Sequence, residues 1–487
     1  MKRVLSLIAL GTLLTAGAAL AESENIKRAE TLELQGKFSE AAGALTNGLK
    51  EGAVSAPERK QLEFEMDRLV RIRKDYPFTK PQLFEKLQAS VKDLTAAEFE
   101  TWLAEGRFDS REIDGEVRYM VSSVSNLYFR HTELEARRIK PRDNVALEAV
   151  RLAAVRAIKQ AALAEQKPYV LPKRLRNTMT VTVETNAVPA GETVRAWLPV
   201  PRRYPFQTDF ELRTTSPQPR EINGRDSAIR AVYFEQAARR DRATEFKLEY
   251  EYTAFGVHFD IKPEQVTPAG SNAALTPYLQ EAEHVVFTPA LRELSREIVG
   301  GETNDFHKAK KCYEWIAANI KYSYATEYST IRNISEYCRT KGYGDCGQEA
   351  LLFITLCRFN GIPARWQSGW NMFPGAKTIH DWCEIYLAPY GWMPVDPYMG
   401  IWATRYARTL TPEQQREVRD FYFGGLDQWR MAANSDHNQQ LSPPKKSHRS
   451  DTVDFQRGEV EWGNHNLYFD QYDYALDVKE VKLPRVE

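Results

Sequence analysis

The amino-acid sequence predicts an α+β protein built from several domains. Apolar residues recur at helical spacing through the first third of the chain, and a two-residue alternation replaces that spacing from about residue 177. Helices followed by two strands return after about residue 262. At about 150 residues per domain, a chain of 487 residues corresponds to roughly three domains.

The composition is that of a globular protein with balanced charge. Apolar residues make up 43% and aromatic residues 11% of the chain, which excludes an intrinsically disordered protein. Lys and Arg number 66, as do Asp and Glu, so the formal net charge is zero. A neutral chain has no overall attraction to nucleic acid or to an anionic membrane. We therefore expect no nucleic-acid partner, although a net charge of zero does not exclude a local basic patch.

The first 21 residues have the pattern of a secretory signal peptide. Lys2 and Arg3 precede an uncharged run of apolar and small residues, and residues 19–21 form an A-x-A cleavage site. The run is short for a membrane anchor, which needs about 20 apolar residues, and no later stretch is long and apolar enough to span a bilayer. We expect cleavage after Ala21 and export, with the mature protein periplasmic, secreted or at the cell surface.

Residues 22–175 are predicted to form a helical domain without chemistry of its own. A helix pair broken near Gly36 resembles one tetratricopeptide-like unit, but no second copy follows at a period of about 34 residues, so a repeat array is not supported. Further helices are predicted over 56–75, 80–92, 95–106 and 142–165.

Residues 176–260 are predicted to form a β-sandwich that packs beside the rest of the chain as an accessory domain. Its strands are expected over 178–183, 194–198, 228–234 and 246–252, where the alternating segments are separated by Gly, Pro, Asn and Asp.

Residues 261–403 are predicted to form the core that carries the chemistry, and residues 404–487 a C-terminal extension that packs on it. In the core we expect helices over 289–300 and 305–320 and a third that begins at Cys346, then strands over 381–388 and 391–396. The extension combines a helix near 411–419 with short aromatic strands.

All five cysteines lie in this core, and their odd number leaves at least one unpaired unless it bonds another chain. A Cys312–Cys338 bridge is one option. Cys357 is expected in the interior, and Cys383 either in the interior or in a disulfide. No spacing of His and Cys is typical of a zinc site, and no acidic loop is typical of a calcium site. We expect neither a metal nor another cofactor.

Cys346 is the candidate nucleophile. Asp345 can cap the helix that follows, which places the thiol in the first helical turn. The partial positive charge of a helix N-terminus favours the thiolate, so a pKa below the usual value of about 8.5 is predicted. Free backbone N–H groups there can bind an oxyanion, and Gln348 is a further candidate donor, although it can equally face solvent.

His380 and Asp396 are its candidate partners. His380 begins a strand, and Gly391 marks the turn to a returning strand that ends near Asp396. Antiparallel pairing can place the carboxylate beside the imidazole, which would then share a proton with the thiol. Trp382 falls on the same strand face as His380 and is predicted to be half cleft wall and half core, whereas Trp392 is predicted to be core.

These motifs resemble the transglutaminase-like superfamily, a papain-like group of cysteine enzymes. The resemblance lies in Gly-Asp-Cys before a helix that ends in Asn-Gly-Ile-Pro-Ala-Arg, in His-Asp-Trp-x-Glu-x-Tyr-Leu and in Gly-Trp-x-Pro-Val-Asp-Pro, over roughly residues 285–400. It implies that Cys346 is the nucleophile, His380 the general base and Asp396 the orienting acid. It also implies a Cys-bearing helix packed on an antiparallel sheet, with a β-domain before it.

The resemblance implies acyl transfer from an amide through a thioester. Water as acceptor gives a peptidase or amidase, and hydrolysis is favoured for an exported bacterial member; an amine acceptor gives transamidation. The expected substrate is a protein, peptide or glycopeptide. The alternative is a catalytically idle binding or assembly protein, including an accessory to glycan degradation, in which the core acts as a scaffold.

Overall fold

The computed structural model describes residues 23–50, 54–270 and 272–483. The predicted signal peptide over 1–21 lies outside the described residues. Within these three ranges, no helix combines the length and the apolar content that crossing a membrane requires. Helices and antiparallel sheets together form the multidomain α+β architecture that the sequence predicts.

The N-terminal region is mainly helical, as predicted. Side chains of Ser55, Thr79 and Thr95 accept hydrogen bonds from the first turns of three helices and fix where these begin. Gly36 adopts a positive φ of 75° between the first two helices, where the break was predicted. A short β-hairpin was not predicted. The elements are α1 (Glu24–Leu34), α2 (Phe38–Lys50), α3 (Ala56–Asp75), α4 (Lys80–Gln88), α5 (Ala96–Ala104), β1 (Ser110–Ile113), β2 (Glu116–Tyr119), α6 (Ser123–Arg130) and α7 (Val145–Glu165).

A β-sandwich follows, with a hydrophobic core formed by the facing sides of its two sheets. One sheet contains β3, β8 and β5, and the other contains β4, β7 and β6. Alternating burial along the long strands matches the two-residue pattern of the sequence. The strands are β3 (Tyr169–Val183), β4 (Thr193–Pro199), β5 (Gln207–Ser216), β6 (Glu221–Ile222), β7 (Ala231–Ala237) and β8 (Thr244–His258).

The next region places a buried helix against an antiparallel sheet. Residues 347–358 are all buried, because helices pack on this helix on one side and sheet strands on the other. The elements are α8 (Pro289–Val299), α9 (Asp305–Asn319), β9 (Lys321–Tyr322), α10 (Ile334–Lys341), β10 (Tyr343–Gly344), α11 (Cys346–Phe359), β11 (Ala364–Asn371), β12 (Thr378–Leu387), β13 (Gly391–Val395) and α12 (Pro397–Arg405).

The C-terminal segment packs on the core, and it also contributes strands to the sandwich, which the sequence did not predict. Its last strands complete the sandwich: β18 pairs with β3 along ten residues, and β16 pairs with β4. β15 instead joins the antiparallel sheet, whose order is β13–β12–β11–β15. Short strands do not reveal from the sequence which distant edge they will join. The elements are α13 (Pro412–Phe421), β14 (Gly425–Leu426), β15 (Arg430–Ala432), β16 (Glu459–Trp462), β17 (His465–Leu467) and β18 (Tyr472–Val481).

Candidate active site

Cys346 is the first residue of α11, which confirms the predicted helix start. Asp345 is the N-cap, and its Oδ1 accepts a hydrogen bond from the backbone N–H of Gln348 at 3.2 Å. The side chain of Gln348 in turn accepts from the N–H of Asp345, which completes a capping box. The backbone N–H of Cys346 itself has no acceptor among the described residues, so it is free to donate to an oxyanion.

Gly347 allows the nucleophile helix to approach its neighbours closely. A Cβ at this position would lie 2.1 Å from Oη of Tyr328 and 2.9 Å from Oδ2 of Asp381. Neither distance is compatible with a side chain, so the position requires glycine. The close approach brings the thiol of Cys346 against β12.

The thiol contacts the residue that follows His380. Sγ of Cys346 donates to Oδ2 of Asp381 at 3.6 Å, and the backbone N–H of Asp381 also contacts the sulfur. In the part of the chain that the structure describes, no hydrogen bond joins Cys346 to His380. The thiol is half-buried, whereas the other four cysteines are buried.

The predicted low pKa of Cys346 is wrong in direction. Burial raises the pKa of the thiol well above its usual value, and the carboxyl groups of Asp381, Asp345 and Glu349 act in the same direction. Burial also raises the pKa of Asp345, to about 6, and that of Asp381. The partial charge at the helix N-terminus acts over one turn, and desolvation with neighbouring acids outweighs it here.

His380 and Asp396 are in direct contact. Nε2 of His380 lies 2.8 Å from Oδ2 of Asp396, and both side chains are buried. His380 lies on β12, and Asp396 follows β13 as the N-cap of α12, where it accepts a hydrogen bond from the N–H of Met399. The antiparallel pairing of these strands produces the predicted juxtaposition.

Arg430 of β15 is a third member of this buried group. Its Nη1 lies 2.9 Å from Oδ2 of Asp396. Burial alone would raise the pKa of Asp396. The charges of His380 and Arg430 outweigh burial and hold this pKa below its usual value. Burial lowers the pKa of His380, and the charges of Arg430 and Arg151 lower it further. The carboxylate of Asp396 acts in the opposite direction and raises it.

These directions define the protonation state at neutral pH. Asp396 is ionised and His380 is neutral, so Nε2 of His380 carries the proton and donates it to the carboxylate. The lone pair is therefore on Nδ1, which has no hydrogen-bond partner among the described residues. That nitrogen is the one available to accept a proton from a thiol.

Gln348 is buried rather than solvent-facing, and its side-chain oxygen lies in the capping box. Its Nε2 has no hydrogen-bond partner among the described residues, so its role as an oxyanion donor stays a prediction. Two further sequence assignments differ from the structure. Trp382 is 0% exposed and stacks on His380 with ring centroids 5.8 Å apart, so it packs beneath the imidazole rather than forming a cleft wall. Trp392 is half-buried rather than core, because it lies at the hairpin turn under Arg365.

The remaining cysteines carry no bridge. Cys312 and Cys338 are free and buried, so the structure does not contain the bridge considered from the sequence. Cys357 is buried, as predicted, and Cys383 is buried and free, so the structure agrees with the first of its two predicted options.

Asp381 and Arg430 were not found from the sequence. Asp381 stands inside the His-Asp-Trp motif, but strand alternation turns it away from His380, and only the position of α11 brings the thiol to it. Arg430 has no local motif. The one sequence feature that could have indicated Arg430 is that a basic residue stands on a short strand after the core.

Residues 292–397 match the model of the transglutaminase-like superfamily. They form a transglutaminase-like domain. The segment contains Cys346, His380 and Asp396 and lies within the region where the sequence motifs indicate the resemblance. The predicted arrangement, a Cys-bearing helix packed on an antiparallel sheet, is confirmed.

Two curated relatives have no assigned function. The uncharacterized protein YebA of Bacillus subtilis is 28% identical over 130 residues, which are 23% of this chain and 17% of that protein. An uncharacterized protein of Haemophilus influenzae is 25% identical over 142 residues, which are 24% of this chain and 38% of that protein. The chain therefore spans well under half the length of either relative.

Two crystal structures are similar at low identity. A candidate cysteine protease from Cytophaga hutchinsonii has a TM-score of 0.41 and 16% identity, covering 65% of this chain and 94% of that one. The periplasmic domain of TgpA from Pseudomonas aeruginosa has a TM-score of 0.26 and 13% identity, and the match covers 53% of this chain and 96% of that domain. The assignment of the domain rests on the family match and on the geometry described above.

Proposed function

We propose that this protein is an exported cysteine hydrolase that cleaves an amide bond through a thioester at Cys346. The observation that carries the proposal is the buried contact between His380 and Asp396, next to a thiol at the start of α11. A neutral imidazole held by an ionised carboxylate is the base that a thiol with a raised pKa needs.

The proposed reaction begins with a rotation of the thiol from Asp381 towards Nδ1 of His380. The imidazole takes the thiol proton while Sγ attacks the carbonyl carbon, and the backbone N–H of Cys346 donates to the developing oxyanion. His380 then returns the proton to the leaving amine as the C–N bond breaks, which leaves a thioester. Water attacks the thioester, His380 takes its proton, and the acid is released as the proton returns to the thiol.

A peptide library resolved by mass spectrometry tests this proposal. We expect wild-type protein to cleave a subset of peptides and the Cys346→Ala variant to cleave none. In H₂¹⁸O, hydrolysis places one ¹⁸O in the new carboxyl group, whereas an added primary amine captured by the same thioester gives an amide without ¹⁸O. Dominant amine incorporation would identify a transamidase instead.

The second candidate is an idle transglutaminase-like domain that binds a partner. The hydrogen bond from Cys346 to Asp381, together with the raised pKa of the thiol, favours it. In that case no peptide acylates Cys346, and Cys346→Ala retains full partner binding. An acyl-enzyme trapped by acid quench of the wild type excludes this candidate.

A further inference from the structure

A cleft of about 610 Å³ lies between the helical N-terminal region and the transglutaminase-like domain. Phe129 of α6 lines one side, and Tyr322 of β9 with Tyr398 and Trp402 of α12 line the other. The ring centroid of Tyr398 lies 4.9 Å from that of Tyr322 and 5.4 Å from that of His380. Through Tyr398 the cleft adjoins the imidazole of the candidate triad, although Cys346 and His380 are not themselves among its lining residues.

Arg151 of α7 lines this cleft without a counter-ion. The residue is 4% exposed, its Nη1 contacts Sδ of Met399 at 3.0 Å, and its Nε has no hydrogen-bond partner. Its guanidinium carbon lies 4.6 Å from the ring centroid of Trp402 and 5.1 Å from that of Phe373. Among the described residues, no carboxylate lies within ion-pair distance. An arginine side chain stays charged in proteins, and burying that charge without an anion destabilises the fold.

This situation sets Arg151 apart from the other buried arginines of the described chain. Each of the others contacts a carboxylate or a backbone carbonyl oxygen: Arg68, Arg71, Arg130, Arg174, Arg230, Arg358 and Arg430. Glu148 stands one turn before Arg151 on α7, but its Oε2 accepts two hydrogen bonds from Thr409. The guanidinium therefore packs on aromatic rings, but the described residues supply it with no anionic partner.

The charge of the cleft walls favours an anionic occupant. Four of the lining residues are basic and two are acidic, so the walls attract negative charge. One of the two acids, Glu135, is already paired with Arg138. The aromatic rings offer flat apolar surface for the rest of a ligand.

We propose that this cleft binds acidic peptides, with a carboxylate of the substrate as the counter-ion of Arg151. The inference rests on the proposed function in that it names the substrate class of the same site. The carboxylate belongs either to an Asp or Glu side chain near the scissile amide or to the free C-terminus of a short peptide. In both cases the guanidinium fixes the peptide while the aromatic walls cover it.

Binding to the Cys346→Ala variant tests the inference without turnover. Four versions of one peptide are compared by calorimetry: Glu or Gln beside the scissile bond, each with a free or an amidated C-terminus. We expect one carboxylate to tighten binding roughly 10- to 100-fold, as a charged hydrogen bond does. If the Glu peptide binds more tightly than the Gln peptide, the carboxylate is that of the side chain. If the free C-terminus binds more tightly than the amidated one, it is the terminal carboxylate. Equal binding of the four peptides, or binding of none, overturns the inference.

Substitution of Arg151 assigns the effect to this residue. In the Cys346→Ala background, Arg151→Met should abolish the preference, while its melting temperature equals or exceeds that of its parent because an unpaired buried charge is lost. Arg151→Lys keeps the charge and should retain a reduced preference. Arg156→Met, an exposed arginine of the same helix outside the cleft, should leave the preference unchanged. A preference that survives Arg151→Met, or a clearly lowered melting temperature, overturns the inference.

Turnover by the wild type separates this inference from the proposed function. Cleavage with no preference for a carboxylate supports the hydrolase and overturns the acidic substrate class. A carboxylate preference in binding with no cleavage of any peptide supports an acidic ligand for the cleft and overturns the proposed hydrolase activity.

Discussion

Nη1 of Arg430 lies 2.9 Å from Oδ2 of Asp396, the same oxygen that accepts a hydrogen bond from His380. Arg430 comes from β15, outside the matched segment 292–397. The C-terminal part of the chain therefore contributes a charge to the candidate triad. Burial is the main cause of the lowered pKa of His380, and the charge of Arg430 acts in the same direction. That charge also lowers the pKa of Asp396, together with His380.

Replacing Arg430 should move the acid limb of activity. Without its charge, the pKa values of Asp396 and His380 both rise, so both groups protonate at higher pH. We expect the acid limb of kcat/KM for Arg430→Met to lie at higher pH than in the wild type. Removing the buried cation that pairs with the carboxylates of Asp396 and Asp427 should also lower the free energy of unfolding by about 3–5 kcal/mol. A pH–rate profile and urea unfolding measure the two effects, and an unmoved acid limb would separate Arg430 from the triad.

Thiol labelling checks the protonation state of Cys346. Because its pKa is raised, alkylation by iodoacetamide near pH 7 should be slower than for a free cysteine, and its rate should go on rising at pH values where that of a free cysteine has levelled off. Cys346 should still react before Cys357, since it is only half-buried. Asp381→Asn removes a nearby negative charge and should lower the pKa of the thiol. Peptide mapping at several pH values gives these rates, and fast labelling of wild-type Cys346 at pH 7 would restore the helix-terminus prediction.

Glu349 should make stability depend on pH. It is 0% exposed, neither carboxylate oxygen has a hydrogen-bond partner among the described residues, and burial raises its pKa well above 4.5. Above about pH 4.3 the unfolded chain ionises this group while the folded protein keeps it protonated. Stability is therefore lost as pH rises from there to the folded pKa, by up to about 1.4 kcal/mol per pH unit.

Glu349→Gln removes that loss. Its gain in melting temperature over the wild type should be small near pH 4 and grow towards pH 8. Glu297→Gln, an exposed position on α8, serves as the matched control and should show no such trend. A gain that is constant across the pH range would contradict the raised pKa.

The features that could be predicted from the sequence are those encoded locally. Asp345 before Cys346 fixes the helix start through one capping interaction, and a single hairpin brings His380 and Asp396 together. Each depends on residues within one or two neighbouring elements. The resemblance to a known superfamily then ordered these motifs into one domain.

The remaining features depend on distant packing. Arg151 lies more than 200 residues before His380 in the sequence, and only the docking of α7 on the core places it at the cleft. The partners of β18 and β15 follow from the whole topology rather than from their own short patterns. The sequence predicts a lowered pKa for Cys346 because it shows the thiol at a helix terminus. The burial that raises this pKa, and the approach of Asp381, arise only when α11 packs against β12.

Trp382 and Trp392 should respond differently to shortening. Trp382 is fully buried and stacked on His380, so Trp382→Phe should cost about 1–3 kcal/mol of unfolding free energy and also lower kcat. Trp392 is half-buried at the hairpin turn, and Trp392→Phe should cost less than about 1 kcal/mol with little change in kcat. Melting curves and steady-state rates of both variants give the comparison. The opposite order would place the cleft on the Trp392 side of the hairpin.

The strongest expectation for the triad is that its members act as one unit. Cys346→Ala should abolish thioester formation, and His380→Ala should leave a thiol that is present but only weakly nucleophilic. Asp396→Asn should preserve the fold while favouring the wrong imidazole tautomer, which lowers kcat by several orders of magnitude. Once either His380 or Asp396 has been replaced, replacing the other should cost little more, because the remaining group has no partner to act through. Single and double variants compared by kcat and by acyl-enzyme trapping measure this coupling, and losses that simply multiply would show that the residues act independently.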